Sequence, residues 1–217
     1  MKLILFGNSE LAKVISIYFE ESGKTVDSYI VDESFKKKDV FNGKPLYTTD
    51  YFLENFSNEN FELFICIGDL KINKVREKKY NFFKSKGFKF TSLIHKNVTI
   101  GNNVKLGEHL LILEGNNIQH NAQIGDNSFL WSSNHIGHSS IIGKNVFISS
   151  NVTISGCTSI GDNSFVGVGS TFANDIEIGK FNYFGNGCNI TTNTKDYQIY
   201  KSSKPILSKV KSDEFFK

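Results

Sequence analysis

The sequence predicts a chain in two parts: a small α/β unit with a Rossmann-like parallel sheet over residues 1–90, and a parallel β-helix of six-residue repeats over 91–192, with a basic tail at 193–217. Three observations predict it. From Ile94 to Ile190 every sixth residue is apolar, seventeen positions without a break. Glycine follows that apolar residue at Gly101, Gly107, Gly125, Gly137, Gly143 and further along, and a small or β-branched residue such as Val98, Val104, Ala122 or Ser140 recurs four places after it. Charge changes at the same boundary: residues 1–93 carry 15 Lys+Arg and 13 Asp+Glu, whereas 94–190 carry only 4 and 6.

A period of six is not a multiple of 3.6, so the repeats cannot be one face of an α-helix. Repeats of this length point to a β-helix. Each hexad supplies a short strand and a corner, three hexads close one triangular coil, and the sixfold apolar residue points into the prism. The glycines are expected to permit the corner backbone. The repeats run on for about five coils, enough to stack a continuous core.

The first 90 residues have a different rhythm. Lys2 to Phe6 reads as a buried strand, Ser9 to Glu21 as a helix, Thr25 to Val31 as a second strand ending at Asp32, and Phe61 to Ile67 as a later strand ending at Gly68. Lys71 to Lys86 has helical spacing and Gly87 stops it. Strand, turn, helix, strand is the grammar of a parallel sheet. The first turn, Gly7-Asn8-Ser9-Glu10-Leu11-Ala12, is a reduced glycine-rich loop whose helix would point backbone N–H groups at an anion. The same residues also suit a tight turn with Ser9 as helix cap. With Asp32, Gly68 and Asp69 at the neighbouring strand ends, they outline a candidate nucleotide pocket at the carboxyl edge of the sheet.

Composition narrows the function classes. Net charge +3 is too mild for a nucleic-acid binder, and the longest apolar stretches are a few residues where a membrane span needs about 20. No secretory signal is expected at the start, where the apolar core is too short. Cys66, Cys157 and Cys188 are odd in number and widely spaced, which indicates neither a disulfide framework nor a thiolate metal site and suits a reducing cytoplasm.

All five histidines lie in the repeats: His95, His109, His120, His135 and His138. With three hexads to a coil, His120 and His138 share one corner, two places after their apolar residue, pointing outward with backbones about 4.8 Å apart. Gly156 and Asn174 continue that column. The stretch Trp131-Ser132-Ser133-Asn134-His135-Ile136-Gly137-His138-Ser139-Ser140 is the richest polar segment of the chain and the place to expect chemistry.

An α/β unit joined near residue 90 to such repeats, with Asn134-His135-Ile136-Gly137-His138-Ser139-Ser140-Ile141-Ile142-Gly143 and then Ile154-Ser155-Gly156, resembles the bacterial sugar acyltransferases of the sialic-acid O-acetyltransferase (NeuD) and bacillosamine-precursor N-acetyltransferase (PglD) type. The resemblance covers nearly the whole chain. It implies a left-handed β-helix, a homotrimer, acetyl-CoA bound between neighbouring β-helices with no metal, and a nucleotide-sugar held partly by the α/β unit. It implies further that His138 is the general base and that the Gly156 N–H is the oxyanion donor. Where a carboxylate usually follows the base this chain has Ser139, so His135, Asn134 or a more distant acid is expected to orient the imidazole. Trp131 and Phe147 stand where some relatives carry Asn and a second His, and with the Asn8-Ser9 loop they are expected to shape the acceptor pocket.

Acyl transfer asks for these groups. The attacking amine or hydroxyl must lose a proton, which an imidazole near neutrality can take, and charge building on the thioester oxygen is stabilised by a backbone N–H fixed in a rigid coil. Gly167 and Asn174 are candidate walls for the pantetheine arm, or equally turn residues. Lys195, Lys201, Lys204, Lys209 and Lys211 are candidate partners of the CoA phosphates, or simply a solvated terminus. No cysteine need act as nucleophile, and Cys157 and Cys188 read as small repeat residues. The expectation is therefore N-acetylation of a nucleotide-linked amino sugar, with O-acetylation as its sibling. A zinc hydrolyase drawing on His120, His135 and His138 and a non-catalytic scaffold are the alternatives from other classes.

Overall fold

The computed structural model describes residues 1–203, 207–210 and 212. Lys204 and Lys211 lie outside the described residues. Near the start the chain forms β1 (Lys2–Phe6), α1 (Glu10–Glu21), β2 (Val26–Val31), β3 (Val40–Phe41), β4 (Lys44–Thr48), α2 (Thr49–Asn55), β5 (Phe61–Ile65), α3 (Lys74–Ser85) and β6 (Lys89–Phe90). The sheet order is β3-β4-β2-β1-β5-β6, parallel except for the β3–β4 hairpin. That hairpin and α2 lie in a segment for which the sequence reading assigned nothing. Their signal was Asn42-Gly43, a tight loop with both φ positive (+49° and +73°), the turn that matches strand twist.

Strand alternation splits the sheet between two cores. Ile4, Phe6, Ile30, Leu63 and Ile65 face α2 and α3. Leu3, Leu5, Tyr29, Val31 and Phe64 face α1, which buries Ala12, Ile15 and Phe19 against them. The β-helix covers the rest of that second face, and the Phe64 and Phe129 rings stack there at 5.6 Å.

From Leu93 the chain winds through very short strands, each paired with the strand one full coil further on, as in Leu111 with Phe129 and Ile118 with Ile136. Three parallel sheets result. The first begins with Leu93–Ile94 and carries Leu111, Phe129 and Phe147 outward toward the α/β unit; the second begins with Thr99–Ile100 and the third with Lys105–Leu106. The sixfold residues from Ile112 to Ile190 are buried in one core, whereas Ile94 and Ile100 at the open end of the prism remain 36% and 43% exposed. After Ile190 the phase slips: Ile199–Tyr200 pairs with Tyr183–Phe184 at a separation shorter than a full coil, so part of the expected tail forms one more rung.

The role assigned to the repeat glycines needs correcting. None of Gly101, Gly107, Gly125, Gly137, Gly143 or Gly161 has positive φ; the left-handed residue falls two places later, at Asn103, Asn121, Asn127, Ser139, Asn145, Cys157 and Asn163. Asn tolerates that backbone best among side-chain-bearing residues. Glycine follows the apolar residue because the next coil lies too close. A Cβ at Gly137 would sit 2.4 Å from the backbone N of Gly156, and one at Gly101 2.5 Å from that of His120.

The corner between the third and first sheets is clamped to the α/β unit. His109 is fully buried: its Nε2 accepts from Ile65 N–H at 2.8 Å, so Nδ1 carries the proton and donates to Asn127 Oδ1 at 2.7 Å. Asn127 Nδ2 donates to Asn145 Oδ1, and Asn145 and Asn163 both donate to the Glu77 carboxylate. Arg76, also fully buried, spans the joint: it donates to the carbonyls of Ile67, Gly68, Asn127 and Asn145, and its guanidinium lies 4.2 Å over the Phe129 ring. Burial pushes Arg76 down to about 9, against the pull of Asp69 and Glu77, and pushes His109 down to about 3 with help from Arg76.

Candidate active site

The corner between the second and third sheets holds the predicted column. It is the corner opposite the first sheet, and so opposite the α/β unit. Here Gln119 Oε1 accepts from His138 N–H at 2.9 Å, His120 O accepts from Ser139 N–H at 3.0 Å, and His138 O accepts from Cys157 N–H at 2.8 Å. The bonds tie three successive coils together and fix the His138 backbone. His138 is exposed and Gly156 is buried beneath its ring. A methyl group at Gly156 would lie 2.5 Å from His138 Nε2 and 2.7 Å from Cε1, so only glycine lets the imidazole rest there. The Gly156 N–H has no acceptor among the described residues. The His138 imidazole and a glycine whose N–H is unpaired among the described residues are thus brought together across one coil step.

His120, one coil earlier, is tied down differently. Its Nδ1 accepts from Asn102 N–H at 2.7 Å, capping the preceding turn. Asn174 is exposed on the same edge as His138, whereas Gly167 lies on the corner that follows the first sheet, where a Cβ would meet Asn186 N at 2.7 Å. Gly167 is a stacking glycine away from the column.

Of the groups expected to orient His138, Asn134 is engaged elsewhere. It is buried, donates to Trp131 O at 2.5 Å and accepts from Val152 N–H at 2.8 Å, which makes it a corner brace. Ser139 takes the left-handed turn position, and no hydrogen bond links it or His135 to the imidazole among the described residues. The contact to Nδ1 comes from Cys157, with Sγ at 3.9 Å. Sequence reasoning took Cys157 for a small repeat residue; the signal was its place one coil and one residue beyond the histidine.

Trp131 and Phe147 do not lie on this edge. Both pack in the joint with the α/β unit, where Phe147 stacks on Phe165 at 5.5 Å and approaches Gly68. Their outward strand register aims them at the sheet rather than at solvent.

At the carboxyl edge of that sheet, Gly7 has φ +127° and a Cβ there would press on Cys66 O at 3.1 Å. Ser9 caps α1 by position without a side-chain bond, and Asn8 donates to Phe35 O at 3.0 Å. A cavity of about 280 Å3 opens between Asn8, Phe35, Lys37, Lys38 and Leu46. A second of about 360 Å3 lies between Asp32 and Lys71, Lys74, Lys78 and Lys79. Asp32 is held there by Lys79 Nζ at 2.5 Å, and Gly68 by Arg76, while Asp69 is exposed at the rim. Among the described residues no three His, Cys, Asp or Glu side chains of one chain form a metal-sized cluster, and no helix is long and apolar enough to cross a membrane.

These features define a class: a hexapeptide-repeat β-helix carrying an N-terminal α/β unit with a parallel sheet. Residues 2–83 match the PglD N-terminal domain family, and residues 121–156 match the bacterial transferase hexapeptide (six repeats) family. No curated protein matches the chain. Among solved structures it is similar to PerB from Caulobacter crescentus in complex with CoA and GDP-perosamine (TM-score 0.83, 23% identity, 93% of this chain and 94% of that one). It is similar also to the acetyltransferase domain of PglB from Neisseria gonorrhoeae FA1090 (0.82, 24%, 94% and 99%) and to WeeI from Acinetobacter baumannii AYE (0.80, 20%, 90% and 94%). The likeness spans both parts of the chain and establishes the fold as the left-handed β-helix with its N-terminal unit.

Proposed function

We propose that the protein is an acetyl-CoA-dependent acetyltransferase that N-acetylates a nucleotide-linked amino sugar. The observation that carries the reading is the His138 imidazole seated on Gly156, whose N–H is unpaired among the described residues. His138 Nε2 takes the proton of the attacking amine as the N–C bond forms at the thioester carbonyl. The Gly156 N–H receives the developing oxyanion, the C–S bond then breaks, and the proton passes from His138 to the departing CoA thiolate. PerB, crystallised with CoA and GDP-perosamine, and PglB, crystallised with acetyl-CoA, support donor and acceptor class by likeness of fold.

The nucleotide is assigned to the cavities around Asn8, Asp32 and the lysines of α3, with Gly7 and Ser9 presenting the α1 N-terminus to phosphate. His138 sits on the corner opposite the sheet to which that unit is docked. A nucleotide-sugar held there meets the His138 of another chain more readily than its own, which supports a homotrimer with the reaction between neighbours. Both substrates are cytoplasmic metabolites, and the protein is assigned to that compartment. Sugar O-acetylation uses the same groups.

Calorimetric titration of metal-stripped protein with acetyl-CoA tests the class before an acceptor is chosen. Saturable binding near one site per chain is expected, followed by turnover with a nucleotide-linked amino sugar such as GDP-perosamine. Absence of binding at millimolar ligand overturns the reading.

A further inference from the structure

A histidine that takes a proton at one ring nitrogen works only in the tautomer that leaves that nitrogen bare, and the tautomer is set by what the other nitrogen meets. In this chain Nε2 of His138 lies over Gly156, so the controlling group must face Nδ1. Cys157 Sγ, at 3.9 Å, is the hydrogen-bonding partner of that nitrogen among the described residues. The neighbouring polar groups are accounted for: Gln119 is bound to the His138 backbone, His120 to Asn102, and Asn134 to Trp131 and Val152.

The backbone column shows the same substitution of role. Three places after the apolar residue on this edge come Asn103, Asn121, Ser139, Cys157 and Asp175, all with φ between +55° and +61°. Asn103 and Asn121 bond to each other along the column, as the asparagines do on the clamped corner. At Cys157 a thiol replaces the amide, one coil step beyond His138, where the side chain reaches back to the ring.

We infer that Cys157 is the positioning residue of the base, its sulfur accepting from Nδ1–H of His138 and so keeping the Nε2 lone pair directed at the substrate. The inference rests on the acyltransferase reading for its role in catalysis, but the tautomer itself is a property of the free protein. No covalent step at sulfur is involved. Sulfur is a weak acceptor, so a carboxylate in its place strengthens the same arrangement.

The test compares wild type with Cys157→Ala and Cys157→Asp. Ala carries the same Cβ into the same left-handed backbone, and Asp175 already occupies that conformation one coil on, so both variants fit the turn. Nitrogen-15 NMR of histidine-labelled protein, with His138→Ala to assign the signal, reads the tautomer without any substrate. The expected result is a dominant Nδ1–H tautomer in wild type and Cys157→Asp and a shift toward Nε2–H in Cys157→Ala. With acetyl-CoA and an accepted amino sugar, Cys157→Ala should lose roughly tenfold in kcat, with KM for acetyl-CoA unchanged and kcat restored in Cys157→Asp. An unaltered tautomer in Cys157→Ala overturns the inference even if the enzyme acetylates. An altered tautomer in a protein that does not bind acetyl-CoA leaves the positioning role standing and overturns the acyltransferase reading instead.

Discussion

Two corners of the same prism have the same backbone and opposite surroundings. On both, a left-handed residue recurs once per coil, and side chains at that turn project from the coil. On the clamped corner the α/β unit covers them, and His109, Asn127, Asn145 and Asn163 become a buried hydrogen-bonded column closed by Arg76 and Glu77. On the open corner His120, His138 and Asn174 stay exposed among the described residues. The repeat supplies precise spacing; whether that spacing serves cohesion or chemistry depends on what lies across from it.

The sharpest way to separate the corners is to empty each in turn. On the open one, His138→Ala should reduce kcat by about 10²–10⁴-fold, as expected for loss of a general base, while thermal stability stays within a degree or two of wild type. On the clamped one, Arg76→Leu removes a buried cation on which several carbonyls depend. It should cost about 3 kcal/mol or more in urea denaturation, and a smaller change would mean that water replaces the guanidinium.

Acid should act on the clamped corner first. The His109 ring is held neutral down to about 3 in the fold but has an ordinary pKa of 6.5 once unfolded. The unfolded chain therefore binds a proton that the folded one refuses, so stability is complete above about 6.5 and falls as pH drops toward 3. The slope is at most ~1.4 kcal/mol per pH unit. His109→Gln should flatten the part of this curve between pH 6.5 and 5, above the range where carboxylates titrate, and an unchanged slope would place the acid response elsewhere. The smallest effect belongs to the open corner again. His120→Ala removes one exposed cap on the Asn102 N–H and should shift stability by about 0.5 kcal/mol, with kcat preserved. Loss of kcat comparable to His138→Ala would move the base one coil down.

The repeat was legible because period six leaves a mark that no other element makes, and the column His120, His138, Gly156, Asn174 followed from counting. The purpose of the repeat glycines was misread because sequence shows which residue is small but not how near the next coil lies. That Trp131 and Phe147 pack in the joint with the α/β unit could not be read from the repeat, because every strand of the prism looks alike until one is covered. Arg76, within the stretch from Lys71 to Lys86, was assigned no role from the sequence. Its burial depends on carbonyls 51 and 69 residues away in the chain, a distance over which local patterns carry no information.

The pairing of His138 with Gly156 also makes chain length a mechanical quantity. Ring and glycine face each other because one full coil returns the chain to the same corner, with no room for a methyl group between the coils. A single insertion between positions 140 and 152 would turn every later inward side chain outward and slide the glycine from beneath the ring. A whole coil inserted after Phe184 would lengthen the prism and leave the pair in register. Natural variation in such a protein should therefore come in whole turns, and the segment between the two residues should tolerate exchange of side chains but not a change in count.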